Sequence, residues 1–173
     1  MRTWVSLLVA GVLLTTPALV WGSTGVQPLD EKVRHELNML PFFSVFDNLT
    51  YRVEGDKVTI AGEVTRPVLK RDAETAVSRI PGVAAVDSQI QVLPLSGFDD
   101  RIRLAELRAI YGNSVLQRYG LVPSAPIRIL VKNGNVTLEG RVSSQMDKNV
   151  AGLAANTVPG VFSVTNNLVI DAS

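Results

Sequence analysis

Few side chains in this sequence could make or break a covalent bond. His35 is the only histidine among 173 residues, and there is no cysteine. A serine or threonine nucleophile needs a positioned base, and His35, set between Arg34 and Glu36, has no recurring partner for that work. Structural zinc wants clusters of cysteine and histidine, and the sequence has none. The acidic pairs Asp30-Glu31 and Asp99-Asp100 stand where helices should open, which is where carboxylates favour the N-terminal dipole. No calcium-loop spacing accompanies them. Gly62, Gly140 and the Pro81-Gly82 and Pro159-Gly160 pairs lack the spacing of a phosphate-cradling loop. The sequence therefore reads as that of a non-enzyme, with no catalytic residue, metal ligand, cofactor or small-molecule substrate expected.

What remains is binding chemistry. Arg101, Leu104 and Arg108 fall at i, i+3 and i+7 of an expected helix, with Arg103 beside them and Tyr111, Arg118 and Tyr119 following. An apolar residue flanked by arginines can lie on an anionic lipid headgroup layer, with tyrosines at the interface. Each basic residue near such a surface contributes about 1 kcal/mol, so three or four would bind weakly and in a salt-sensitive way. The same stretch also fits an ordinary solvated helix face, with Glu106 cancelling part of the charge, or a dock for an acidic protein partner.

The elements that would position these residues come in two copies. Val58-Thr59-Ile60-Ala61-Gly62-Glu63-Val64 returns 78 residues later as Val136-Thr137-Leu138-Glu139-Gly140-Arg141-Val142. At the same offset Ile80-Pro81-Gly82-Val83-Ala84-Ala85-Val86 returns as Val158-Pro159-Gly160-Val161-Phe162-Ser163-Val164. A register held over that distance marks a tandem repeat. What recurs is strand alternation, turn glycines and apolar helix faces, so the duplicated object is a scaffold.

In unit one, Val33, Leu37 and Leu40 mark the buried stripe of a first helix ended by Pro41. Phe42, Phe43, Val45 and Phe46 form an apolar connection expected to plug the core. Leu49, Tyr51 and Val53, then Val58, Ile60, Gly62 and Val64, alternate as two strands about a turn. Pro67 opens a second helix buried through Leu69, Ala73, Ala76, Val77 and Ile80, and Val83, Val86, Ile90 and Val92 form the last strand. Unit two repeats the order, with Asn133-Gly134 as a tight hairpin and Ser144 with Asp147 resembling a capping box. Its first helix is expected from Arg101 towards Tyr111, broken at Gly112-Asn113-Ser114, with one or two further turns over Val115 to Tyr119. Its front is longer than that of unit one, and Gly62 and Gly140 read as packing sites for the helix above.

A short positive start at Arg2, an uncharged and mostly apolar run from Val5 to Val20, and small residues at Gly22 and Ser23 resemble a cleaved export signal over 1–22. The run is shorter than the roughly 20 residues a bilayer span requires. Removing Arg2 leaves 16 basic residues against 16 acidic ones. That balance argues against nucleic acid as a partner. The balance is uneven along the chain, with −2 from Ser23 to Leu95 and +2 from Ser96 to Ser173. Each half is near the lower size limit for an independent core, so the halves are expected to lean on one another.

These motifs, Val-Thr-Ile/Leu-x-Gly-x-Val followed by a helix and Pro-Gly-Val-x-x-Val, resemble the BON domain, in two copies covering nearly all of the chain after the signal. The resemblance implies an α+β fold of two tandem αββαβ sandwiches, over 29–94 and 99–171, each a three-stranded mixed sheet packed against two helices. It implies a periplasmic protein of the bacterial envelope, where family members include an osmotically inducible protein and an outer-membrane lipoprotein that binds anionic phospholipid. In that lipoprotein the first helix of the second domain makes the contact, and the matching helix here is Arg101 to Tyr111. This chain departs from it in lacking an anchoring cysteine and a tryptophan on that helix. The expected partner is an anionic phospholipid membrane surface, in support of envelope integrity or osmotic tolerance. The alternative is a protein-protein interaction module of a larger periplasmic or secretion assembly.

Overall fold

A computed structural model describes residues 28–121 and 125–171, and the expected export signal lies outside the described residues. Unit one runs α1 (Leu29–Asn38), β1 (Asn48–Glu54), β2 (Lys57–Val64), α2 (Pro67–Ser78) and β3 (Ala85–Val92). Unit two runs α3 (Gly97–Tyr111), a 3-10 helix (Gln117–Leu121), β4 (Ile127–Lys132), β5 (Asn135–Val142), α4 (Gln145–Asn156), β6 (Ser163–Asn166) and β7 (Val169–Ile170). The expected fold class is the one adopted: α+β, with two tandem αββαβ units.

In each unit a hairpin pairs antiparallel and the last strand adds parallel to the middle one, giving the orders β1-β2-β3 and β4-β5-β6. The last strand of unit two is split, and its second piece, β7, continues the pairing along β5. Alternate residues of the strands fill the space under the helices. Val58, Ile60, Val64 and Ile90 meet Val33, Leu37, Leu69, Ala73 and Val77 in the first core. Ile127, Ile129, Val131, Val136 and Leu138 meet Ile102, Ile110, Ala151 and Ala155 in the second.

Local chemistry explains the element ends. Pro67 occupies the first turn of α2, where its missing N–H costs nothing. Asn133 and Gly134 take φ of 52° and 76°, the paired positive values of a tight hairpin. Ser144 caps α4 by accepting from the Asp147 amide at 3.1 Å. Three expectations are corrected. α3 opens at Gly97, capped by Ser96, so Asp99 lies within the helix rather than ahead of it. Phe42 is exposed and Phe46 packs against the second core, so the apolar connection does not simply plug the first. Gly62 and Gly140 (φ 130° and 110°) make room for a neighbouring backbone carbonyl, Asn48 O and Pro126 O, and not for a helix.

The units meet along the outer edge of β4. Ile129 N–H donates to Val45 O at 2.7 Å. Arg128 donates to Ser44 O at 3.0 Å and lies over the Phe43 ring at 4.6 Å. Lys132 faces Glu63 at 3.7 Å. Asp47 holds the connection in shape, accepting from Ser44 N and Oγ through one carboxylate oxygen and from Thr65 N and Oγ1 through the other.

Candidate functional site

The candidate residues divide into an outward set and an inward set. Arg101, Leu104 and Arg108 are exposed on the outer face of α3, with Leu104 at 48%. The Arg101 guanidinium lies 5.9 Å from the Phe98 ring centroid. Tyr111 is half-buried and donates its hydroxyl to Ile127 O at 2.6 Å. Burial pushes its pKa up to about 12, against smaller opposing effects of Arg128 and of that hydrogen bond. Tyr119 is buried and donates to Asp147 at 2.8 Å, while its oxygen accepts from Ser143 N–H at 2.8 Å. Arg118 remains partly exposed but is tied to Asp147 at 2.5 Å. Both tyrosines are thus engaged with the interior, and only the first three residues stand together in solvent.

Arg103 and Glu106 also belong to the interior. Arg103 is buried, donating to Val131 O at 2.7 Å and pairing with Asp100 at 2.6 Å. Glu106 is 0% exposed, and neither carboxylate oxygen has a hydrogen-bond partner. Desolvation lifts its pKa to about 7. Glu106 therefore does not offset the charge of the outer face, contrary to the solvated-face expectation.

The extra residues at the front of unit two end in a carboxylate hub. Asp147 accepts from Ser144 Oγ, Tyr119 and Arg118. Burial alone would raise its pKa, but those hydrogen bonds and the Arg118 charge outweigh it and hold the carboxyl below its usual range. The hub fastens the 3-10 helix to the start of α4. Ser143 is the counterpart of Thr65 at the 78-residue offset. Its amide is satisfied by the Tyr119 hydroxyl where Thr65 uses the Asp47 carboxylate. One structural requirement is met by different side chains in the two copies.

Sequence patterning did not single out a second set of surface residues. Met146 and Leu153 are exposed on α4, Phe98 at the start of α3, and Phe162 in the turn after α4, whereas neither α1 nor α2 exposes a large apolar side chain. A signal existed for Phe162: it replaces Ala84 at the repeat offset. Phe98 was hidden because it reads as linker when the helix start is set too late. Among the described residues there is no group of three His, Asp or Glu able to hold a metal, and no helix is long and apolar enough to cross a membrane.

Two copies of one helix-on-sheet unit, with surface chemistry concentrated on the second, define a duplicated α+β scaffold. The chain belongs to the BON domain family, whose model matches residues 26–94 and 113–172. The second match begins after α3, so the helix bearing Arg101, Leu104 and Arg108 lies outside the matched segments. Among solved structures, the C-terminal domain of CdsD, the structural protein of the type III secretion system of Chlamydia trachomatis, is 15% identical. That match covers 83% of this chain and 98% of that one, with a TM-score of 0.30. A second structure of CdsD is 13% identical and covers 84% and 93%, also at 0.30. No curated protein matches the chain.

Proposed function

We propose that this is a non-catalytic, exported periplasmic protein that contacts anionic phospholipid through unit two and supports envelope integrity or osmotic tolerance. Family membership supports an envelope-associated role in membrane or protein interaction. The observation that carries the lipid reading is Leu104, half-exposed between the exposed Arg101 and Arg108, on a helical layer that also exposes Met146 and Leu153. Apolar side chains ringed by arginine enter the headgroup layer while the guanidinium groups meet its negative charge. With about 1 kcal/mol from each basic residue near the surface, the contact is weak, reversible and screened by salt. Unit one, net negative and without apolar residues exposed on its helices, serves as support.

The test is co-flotation of residues 23–173 with vesicles. Binding is expected to vesicles containing anionic phosphatidylglycerol, not to purely zwitterionic ones, and is expected to disappear in high salt. A protein that ignores every vesicle and co-purifies with a stable envelope partner would replace this reading with that of a protein-interaction module.

A further inference from the structure

We propose that Phe98 and Phe162 form a membrane-inserting tip that seats unit two in an anionic bilayer surface. The inference rests on the lipid reading above and assigns the residues that penetrate. The two rings lie side by side, centroids 6.0 Å apart and tilted by 31°, yet they are 39% and 74% exposed. They are brought together from separate segments, the first turn of α3 and the turn after α4. The Phe162 amide donates to Gly134 O at 2.8 Å, pinning its turn to the β4-β5 hairpin. Two glycines make the seat: a Cβ at Gly134 would meet the Phe162 ring at 2.5 Å, and one at Gly160 would meet the Phe98 ring at 3.3 Å. The pair is held in place rather than splayed into solvent.

The charges around it suit a lipid headgroup layer. Arg101 stands at the rim, over Phe98. The carboxylates of the same helical turn are occupied: Asp99 is buried and accepts from the Asn133 and Gly134 amides, and Asp100 pairs with Arg103. An exposed apolar pair with a cation at its rim needs no shaped pocket in its partner, and phenylalanine is among the side chains that interfacial elements bury at the headgroup–acyl boundary. Unit one carries Ala84 where unit two carries Phe162, so the tip belongs to unit two alone.

The chain's two tryptophans are Trp4 and Trp21. Residues 23–173, which hold both cores, therefore contain none, and Phe162→Trp places a single reporter at the tip. With phosphatidylglycerol vesicles its emission should move to shorter wavelength and be quenched by acyl chains brominated near the headgroup. The Phe98→Ser, Phe162→Ser variant should bind these vesicles at least about tenfold more weakly, the apolar burial of two rings having been lost. A Phe162→Trp protein that floats with vesicles but keeps its emission in water would overturn the tip while leaving flat electrostatic adsorption intact. Failure of the unaltered protein to bind any vesicle would overturn both.

Discussion

Glu106 shows how little a single residue's chemistry can be judged from its neighbours in sequence. On a helix that also carries Arg101, Arg103 and Arg108, it reads as a surface carboxylate, yet it is fully buried without a hydrogen-bond partner. Arg103, one turn away, spends its guanidinium on Asp100 and Val131 O. The folded pKa of about 7 lies above the ordinary 4.5, so between these values the native state holds a proton that the unfolded state has released. Stability should therefore fall as pH rises through that window, by about 1.4 kcal/mol per pH unit for one proton, and level off above it. Urea midpoints measured from pH 5 to pH 8 should show this slope in the unaltered protein and lose it in Glu106→Gln. An equal slope in the variant would assign the effect elsewhere. Tyr111 and Tyr119 teach the same lesson in reverse, as residues that look interfacial by type but end in hydrogen bonds to Ile127 O and Asp147.

At the scale of elements the repeat was legible because strand alternation, Asn133-Gly134, Pro67 and the Ser144 cap each act locally. What depends on chains approaching in space was not. The outer edge of β4 is one example, since alternate residues of an antiparallel strand direct their backbone groups to the same side. Here Ile127 O accepts from Tyr111, Ile129 N donates to Val45 O, and Val131 O accepts from Arg103. Two separate segments, α3 and the connection after α1, thus occupy an edge that would otherwise invite strand addition. The strand glycines are another example. Their spacing was visible, but the partner was a neighbouring carbonyl rather than a helix. Gly140→Ala combines a φ of 110° with a collision against Pro126 O and should cost at least about 3 kcal/mol in urea unfolding. A loss below about 1 kcal/mol would show that the strand yields at little cost.

Over the whole molecule, the proposed function assigns support to one copy of the duplicated unit and contact to the other. The two cores are built alike and joined by Phe46, Val45 O and Arg128 across the β4 edge. Their surfaces differ: apolar side chains are exposed on the helices of unit two but not on those of unit one, and unit two carries the net positive charge. The charge difference was readable in the sequence, whereas the grouping of Phe98 with Phe162 required the fold. The central claim is that this particular face, and not the chain's overall charge, meets anionic lipid. It is tested most directly by titrating phosphatidylglycerol vesicles against two variants of equal charge change, Arg101→Glu with Arg108→Glu on α3, and Arg34→Glu with Arg71→Glu on the exposed helices of unit one. The first pair is expected to abolish binding and the second to leave it within about twofold of the unaltered protein, since screening confines each charge to about a Debye length. Equal losses in both pairs, or none in either, would contradict it.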